Sequence, residues 1–228
     1  MLEGIHLVDG WLRLRGAPER LVVAQRGLSD PEVAALLARA GVAPLVIADR
    51  LFDALGTLPS PAPLLAVIAT PEPTAPPQLD GDVVILDRLQ DPGNVGAIIR
   101  TAAAAGVELL VTTPQTAWCW SPKVLRAAMG GHFALAIHES VPWEEIAARL
   151  AVPLAGALAH GGRSLHDLDL TPPCAWVFGS EGDGLAPAIA ARLDWQATIP
   201  QSDRVESLNV AAAAAICLFE QRRQRGRG

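Results

Sequence analysis

Beyond residue 82 the chain repeats one pattern: a short unbroken apolar run, then a stretch with helical spacing. The runs fall at 83–86, 108–112, 133–137, 153–157, 175–178 and 197–199, and helices are predicted at 95–105, 122–129, 143–151, 186–193 and 208–223. Strands apolar on both faces must be covered on both faces, and intervening helices achieve this over a parallel sheet. The fold class is therefore α/β with a parallel sheet. Ligands of such sheets collect beyond the carboxyl ends of the strands, which singles out the loops at 87–94, 179–185 and 200–207.

Ahead of this pattern lies TPEPTAPP at 70–77, a stretch with little capacity for helix or sheet. It predicts a small unit at 1–75, a linker within 70–79 and a larger domain at 80–228. The small unit should hold strands at 20–24, 44–48 and 64–69. Asp30-Pro31 should open an amphipathic helix through Leu36, Leu37 and Ala40, ended by Gly41.

Half of the 228 residues are hydrophobic, enough for one large domain or two compact ones. The longest apolar run, 208–219, is too short to cross a bilayer and contains Asn209. The start of the chain lacks a basic segment followed by an apolar core, so no signal peptide is expected. Cys119, Cys174 and Cys217 show no C-x-x-C spacing, and the five histidines form no H-E-x-x-H pattern. The expectation is a cytoplasmic protein with no metal, no disulfide framework and no membrane span. Net charge is −6, with Arg222, Arg223, Arg225 and Arg227 clustered at the end, leaving −10 on residues 1–220. A nucleic-acid partner would need a local basic site on this acidic body.

Each loop carries polar residues with two readings. In DRLQDPGN, 87–94, Pro92-Gly93 signals a turn and Asn94 suits the cap of the next helix. Within 95–105 only Arg100 and Thr101 are polar, which predicts a helix buried on most faces. A guanidinium there needs a carboxylate, a carbonyl or a ligand, so an ion pair and a catalytic role both stand. In GSEGDGL, 179–185, the glycine spacing fits neither a Walker A loop nor a dinucleotide fingerprint. Glu181 and Asp183 would repel phosphate and suit a cofactor with a positive sulfonium, though a plain glycine-rich turn explains the spacing too. In IPQSDRVESLNV, 199–210, Ser207 is a natural helix cap, and Asn209 precedes the five alanines 211–215. That alanine run allows close backbone approach in a crowded core or a subunit interface.

Taken together, NVGAIIRTA from Asn94, FGSEG from Phe178, and Ile199-Pro with SLNV from Ser207 closely resemble the three signature motifs of the SpoU (TrmH-type) RNA ribose methyltransferases. The resemblance spans about 82–223 and includes SPKVLRAAMG from Ser121, where relatives often carry a serine in place of Ala128. Residues 1–69 more loosely resemble the L30e-type RNA-binding domain that precedes the catalytic domain in many members, and this chain starts short of them.

The resemblance implies a C-terminal trefoil knot of the SPOUT type, a homodimer and S-adenosylmethionine as cofactor. It places cofactor binding on Gly179, Ile199 and Leu208, and catalysis on Arg100, Asn94, Glu181, Ser207 and Asn209. The expected reaction is transfer of a methyl group to a ribose 2′-hydroxyl of ribosomal or transfer RNA, with the N-terminal unit tilting toward ribosomal RNA. Arg100 would orient ribose or phosphate and stabilise the oxyanion, since arginine rarely yields its proton. Competing readings are a base-methylating SPOUT enzyme, a non-catalytic RNA-binding relative, and a nicotinamide oxidoreductase, the last lacking G-x-G-x-x-G after its first strand.

Overall fold

The computed structural model describes residues 1–56, 62–72, 74–202 and 204–226. The chain divides into two compact units, Met1–Glu72 and Pro73–Gly228. Arg227 and residues 57–61, 73, 203 and 228 lie outside the described residues.

The first unit contains β1 (Leu2–Glu3), α1 (Ile5–Leu14), β2 (Arg20–Ala24), α2 (Pro31–Arg39), β3 (Pro44–Ile47), α3 (Asp49–Leu55) and β4 (Leu64–Val67). Its sheet runs in the order β1-β4-β2-β3, with β2 and β3 parallel and β4 antiparallel to its neighbours. Asp30 starts α2 as anticipated, its Oδ1 accepting from the Glu32 amide at 2.8 Å. Helices α1 and α3 were not foreseen. The seven residues of α3 make two turns, too few for a period to show, yet they bury Phe52 against Val22, Ala24 and Leu65.

The second unit contains β5 (Val83–Asp87), α4 (Pro92–Ala105), β6 (Leu109–Thr112), α5 (Pro122–Ala128), β7 (Ala136–His138), α6 (Trp143–Arg149), β8 (Leu154–Leu158), β9 (Arg163–Ser164), β10 (Ala175–Gly179), α7 (Pro187–Ala190), β11 (Trp195–Thr198) and α8 (Val210–Gln224). Every pairing among its strands is parallel, in the order β7-β6-β5-β10-β8-β11-β9. Val83, Ile85, Val111, Leu154 and Val177 pack with Ile146 and Ile189, so the unbroken apolar runs are sheet residues with a helical cover. The run at 133–137 differs: Gly131–Ala134 is a 3-10 turn, and β7 starts only at Ala136. Phe133 is buried there without belonging to a strand.

Two helix starts correct the sequence reading. Asp91, not Asn94, caps α4, its Oδ1 accepting from the Asn94 amide at 2.8 Å. Asn209, not Ser207, caps α8, accepting from the amides of Ala211 at 2.9 Å and Ala212 at 3.2 Å. In both cases Ser207 and Asn94 lose their bland explanation. The pairing of α4 with α5 depends on Gly96, where a Cβ would lie 2.5 Å from the Ala127 Cβ and 2.7 Å from the Val124 carbonyl.

The far end of α8 is tied into the body. Gln221 accepts from the Trp176 indole at 3.0 Å and donates to Asp82 at 3.0 Å. Arg225 pairs with Asp82 and donates to the carbonyls of Leu170, Thr171 and Pro172. Arg223 meets Glu220 at 2.7 Å, and Arg222 reaches the Ala105 carbonyl at 3.3 Å. The described arginines of the basic tail are thus spent on holding the fold.

Candidate cofactor pocket and catalytic site

The loops after β5, β10 and β11 converge at the carboxyl edge of the sheet, as the topology requires. Asp87 ends β5 as a buried carboxylate. Its Oδ2 accepts from the Ala186 amide at 2.7 Å and its Oδ1 from the Thr113 hydroxyl at 3.0 Å, so one acid fixes two neighbouring loops. Arg88 follows with φ +54°, a conformation that costs a non-glycine residue about 1 kcal/mol or more. Its guanidinium holds the Gly184 carbonyl at 3.1 Å and its amide donates to the Thr113 hydroxyl at 3.1 Å.

Behind β10 the chain folds back on itself. A Cβ on Gly179 would lie 2.5 Å from the Gly184 carbonyl carbon and 2.7 Å from the Leu185 amide nitrogen, so only glycine permits this loop. The loop borders a cavity of about 460 Å³, a size typical of small-molecule sites. Gly179, Glu181, Ile199, Ser207, Leu208 and Asn209 all line it. Leu158, Phe178 and Leu185 supply much of the apolar wall.

Asn94 does not line this cavity, but it links two residues that do, Glu181 and Asn209. The Asn94 amide donates to the Glu181 carboxylate, and Asn209 Nδ2 donates to Asn94 Oδ1 at 3.0 Å. Because Asn209 Oδ1 is occupied by the first turn of α8, its orientation is fixed and its amide is aimed at Asn94. The three motif loops are thereby joined through side chains that the chain separates by 87 and 115 positions. The Ser207 hydroxyl is exposed and makes no hydrogen bond to a described residue.

Arg100 stands apart from this group. It is exposed rather than buried, does not line the cavity, and makes no hydrogen bond or ion pair with a described residue. The helix is buried on most faces as expected, with Val95, Gly96, Ile98, Ile99 and Ala102 buried, but Arg100 falls with Ala104 on its exposed strip and so needs no buried partner. The structural ion-pair reading of Arg100 has no partner among the described residues.

Sequence reasoning missed Asp87, Arg88, Leu158 and Leu185. The signal for Asp87 was available: a lone acid ending an apolar strand at the ligand edge of a parallel sheet. Leu158 and Leu185 look like ordinary core residues and become lining only through the fold.

The donor set fits S-adenosylmethionine. Among the described lining residues there is no arginine, lysine or histidine to meet a diphosphate, and Glu181 offers negative charge suited to a sulfonium. No cluster of three metal-ligating side chains occurs among the described residues. Burial holds the Cys174 and Cys217 thiols protonated, with pKa values raised to about 12.

Residues 82–219 match the SpoU rRNA methylase family. The chain belongs to that family. Among SpoU-type relatives, it is 31% identical to the 23S rRNA (guanosine(2553)-2′-O)-methyltransferase RlmP of Bacillus subtilis, across 97% of this chain and 88% of that protein. A 23S rRNA (uridine(2479)-2′-O)-methyltransferase of Streptomyces viridochromogenes shares 36% identity over 62% of this chain and 52% of its own length. Among solved structures, the SpoU methyltransferase AviRb of Streptomyces viridochromogenes, in complex with AdoMet, superposes with TM-score 0.84 at 27% identity, covering 100% of this chain and 90% of that one. SpoU relatives of comparable similarity are thus named for different nucleotides, guanosine and uridine.

Proposed function

We propose that this protein is an S-adenosylmethionine-dependent RNA methyltransferase acting on a ribose 2′-hydroxyl, with ribosomal RNA as substrate in preference to transfer RNA. The observation that carries the reading is one cavity lined by Gly179, Glu181, Ile199, Ser207, Leu208 and Asn209, with Asn94 hydrogen-bonded to both Glu181 and Asn209. A nicotinamide reading has no support in that cavity, whose described lining offers no cation for a diphosphate. Base methylation is disfavoured by the relatives, whose names specify the 2′-oxygen.

When bound, S-adenosylmethionine supplies an electrophilic methyl carbon. Gly179, Ile199 and Leu208 hold it, largely through backbone groups. Glu181 favours positive charge at the cavity mouth, and Asn94 and Asn209 fix Glu181 in place. Ser207, exposed and without a hydrogen bond to a described residue, is placed to contact substrate. Arg100 orients the ribose or its neighbouring phosphate and stabilises charge developing on the attacking oxygen. It keeps its proton, so it is not the base.

The 1–75 unit is read as an L30e-like RNA-binding domain and 80–228 as the catalytic domain. A trefoil knot fits the return of the chain after β11, where Asn209 bonds back to Asn94 and α8 lies along α4. A homodimer through α8 is supported by Ala212, Ile216 and Phe219, exposed at helical spacing on one face. Light scattering should give about twice the 23.9 kDa chain mass, and a monomer at micromolar concentration would refute the dimer. Arg100 does not line the cavity of its own chain, which favours action across that dimer on the partner's pocket. Mixed dimers of Arg100→Ala and Gly179→Val chains then regain methylation, and stay inactive if the arginine works within its own chain. The protein is read as cytoplasmic, and no described helix is long and apolar enough to cross a membrane.

Calorimetry with S-adenosylmethionine in the presence of chelator tests the cofactor and its independence of metal. Undiminished binding is expected, and loss rescued by a divalent ion would refute it. Mapping of 2′-O-methyl sites in cells with and without the gene identifies the RNA. Base methylation without ribose methylation would overturn the assignment.

A further inference from the structure

The basic surface that an RNA partner requires lies on α4 and α5, not in the tail. Arg88, Arg149, Arg223 and Arg225 each meet a carboxylate. Arg100, Lys123 and Arg126 are exposed, and no described residue bonds to them. Lys123 is the sole lysine of the chain, and residues 92–107 and 109–138 contain no Asp or Glu. On a protein of net charge −6 this is a rare stretch without acids. The two helices are in close contact at Gly96, and the Gly131 turn abuts the Arg100 backbone, where a Cβ would lie 2.9 Å from the Arg100 Cα.

Five residues before Lys123 comes Trp118, 55% exposed in the loop between β6 and α5. The loop is pinned. The Ala117 amide donates to the Leu89 carbonyl at 2.7 Å, the Thr116 hydroxyl to the Leu86 carbonyl at 3.2 Å, and the Cys119 amide to Glu139 at 2.6 Å. Its neighbour Trp120 is buried, its ring centroid 5.0 Å from that of His132. The bonds to Leu86 and Leu89 set Trp118 next to the loop that carries Asn94. A fixed aromatic plane left in water, on the loop leading into the helix that carries Lys123 and Arg126, suits the face of an unpaired base and its phosphates.

We propose that this surface binds single-stranded RNA flanking the methylated nucleotide, with a base stacked on Trp118 and phosphates met by Lys123 and Arg126. The target is then an unpaired loop rather than a stem, since paired bases hide their faces. This inference rests on the RNA methyltransferase reading for its biological role, though the binding surface can be tested alone.

The probes are a fluorescein-labelled oligoadenylate of about 12 nucleotides, within the usual span of single-strand sites, and an RNA duplex of equal length. Anisotropy should show the wild type favouring the single strand. Trp118→Ala should weaken single-strand binding about tenfold, the loss of one base stack, and leave duplex binding unchanged. Trp118→Phe should restore most of it, and Trp118→Leu, apolar but not planar, should behave like alanine. Lys123→Ala should reduce the dependence of affinity on salt by roughly 0.7 in the log–log slope. Wild-type affinity in Trp118→Ala or in Trp118→Leu, or equal losses on single strand and duplex, would overturn the stacking surface. Calorimetry with S-adenosylmethionine on the wild type separates the two ideas: failure to bind the cofactor sinks the methyltransferase reading and leaves the RNA surface standing.

Discussion

At its start α8 is capped by Asn209, whose amide also reaches Asn94; at its far end Gln221 and Arg225 reach Asp82. Both ends are rich in side-chain hydrogen bonds, but they differ in what remains free. At the far end Gln221 is buried and Asp82 meets Gln221, Arg225 and the Cys174 amide. At the start, Asn209 and Ser207 are exposed and border an apolar cavity. One helix therefore joins a locked end, where polar groups satisfy each other, to an open end, where they await a ligand. Substitutions at the locked end should cost stability, and those at the open end should cost activity.

Arg100→Ala is the largest expected effect. Methylation should fall by about 10²–10³, as when one donor to a developing oxyanion is removed. Cofactor affinity should stay within a few fold and thermal unfolding should be unchanged, because no described residue bonds to the side chain. Single-turnover assays and calorimetry on one preparation check this. Near-normal methylation would remove Arg100 from the mechanism. Arg100→Lys is the sharper probe, since it keeps charge but loses the planar fork.

Asp82→Ala should do the reverse. A buried ion pair broken on one side costs about 3–5 kcal/mol. Here the Arg225 and Asp82 side chains keep 13% and 23% of their exposure. With that residual solvation a loss of about 2–3 kcal/mol is expected, or several degrees in unfolding temperature. Cofactor affinity at the other end of α8 should be untouched. A variant that binds cofactor poorly while unfolding normally would erase the division between the two ends.

Gly179→Ala should place a Cβ 2.5 Å from the Gly184 carbonyl carbon, which only a backbone shift can relieve. Overpacking of this kind costs about 1–3 kcal/mol, so cofactor affinity should drop tenfold or more by calorimetry. Retained affinity would show that the loop can yield, and that Gly179 does not shape the pocket.

The open end was more legible in the sequence than the locked end. Asn94, Glu181, Ser207 and Asn209 sit at strand carboxyl ends, where topology alone predicts a site, and their motifs are distinctive. Their local roles were less legible. Asn94 looked like a cap because Asp91, three residues earlier, is equally suited to one, and Pro92 at the first helical position decides in favour of Asp91. Arg100 looked buried because apolar residues fill every turn of the helix around it, and the alanines among them do not reveal which face is covered. The locked end was not legible at all. Arg222, Arg223 and Arg225 read as a basic tail because their partners Ala105, Glu220 and Asp82 include two positions more than a hundred residues away. In the first unit α3 is too short to show a period, whereas α1 has ten residues and an apolar side through Leu7 and Val8 that the sequence reading passed over.

The smallest expected effect tests whether the locked end is held by charge or only by shape. Hydrogen bonds from Arg223, opposed by burial and aided by Gln224, hold the Glu220 carboxyl at about 2, below the ordinary glutamate value of 4.5. A depressed folded-state value means stability present above the ordinary value and lost as pH falls from 4.5 toward 2. Because the Arg223 side chain is 69% exposed, solvent screens the pair and its worth is about 1 kcal/mol or less. Glu220→Gln keeps the shape and the amide contacts but removes the titration. Unfolding of the two proteins should therefore differ at pH 6 and converge as the pH approaches 2, with the gap at pH 6 narrowing in high salt. A gap that stays constant from pH 6 down to 3 would assign the contribution to packing and amide hydrogen bonds. Glu220 would then hold the far end of α8 by shape and amide hydrogen bonds, and the electrostatic part of the lock would rest on Asp82 with Arg225.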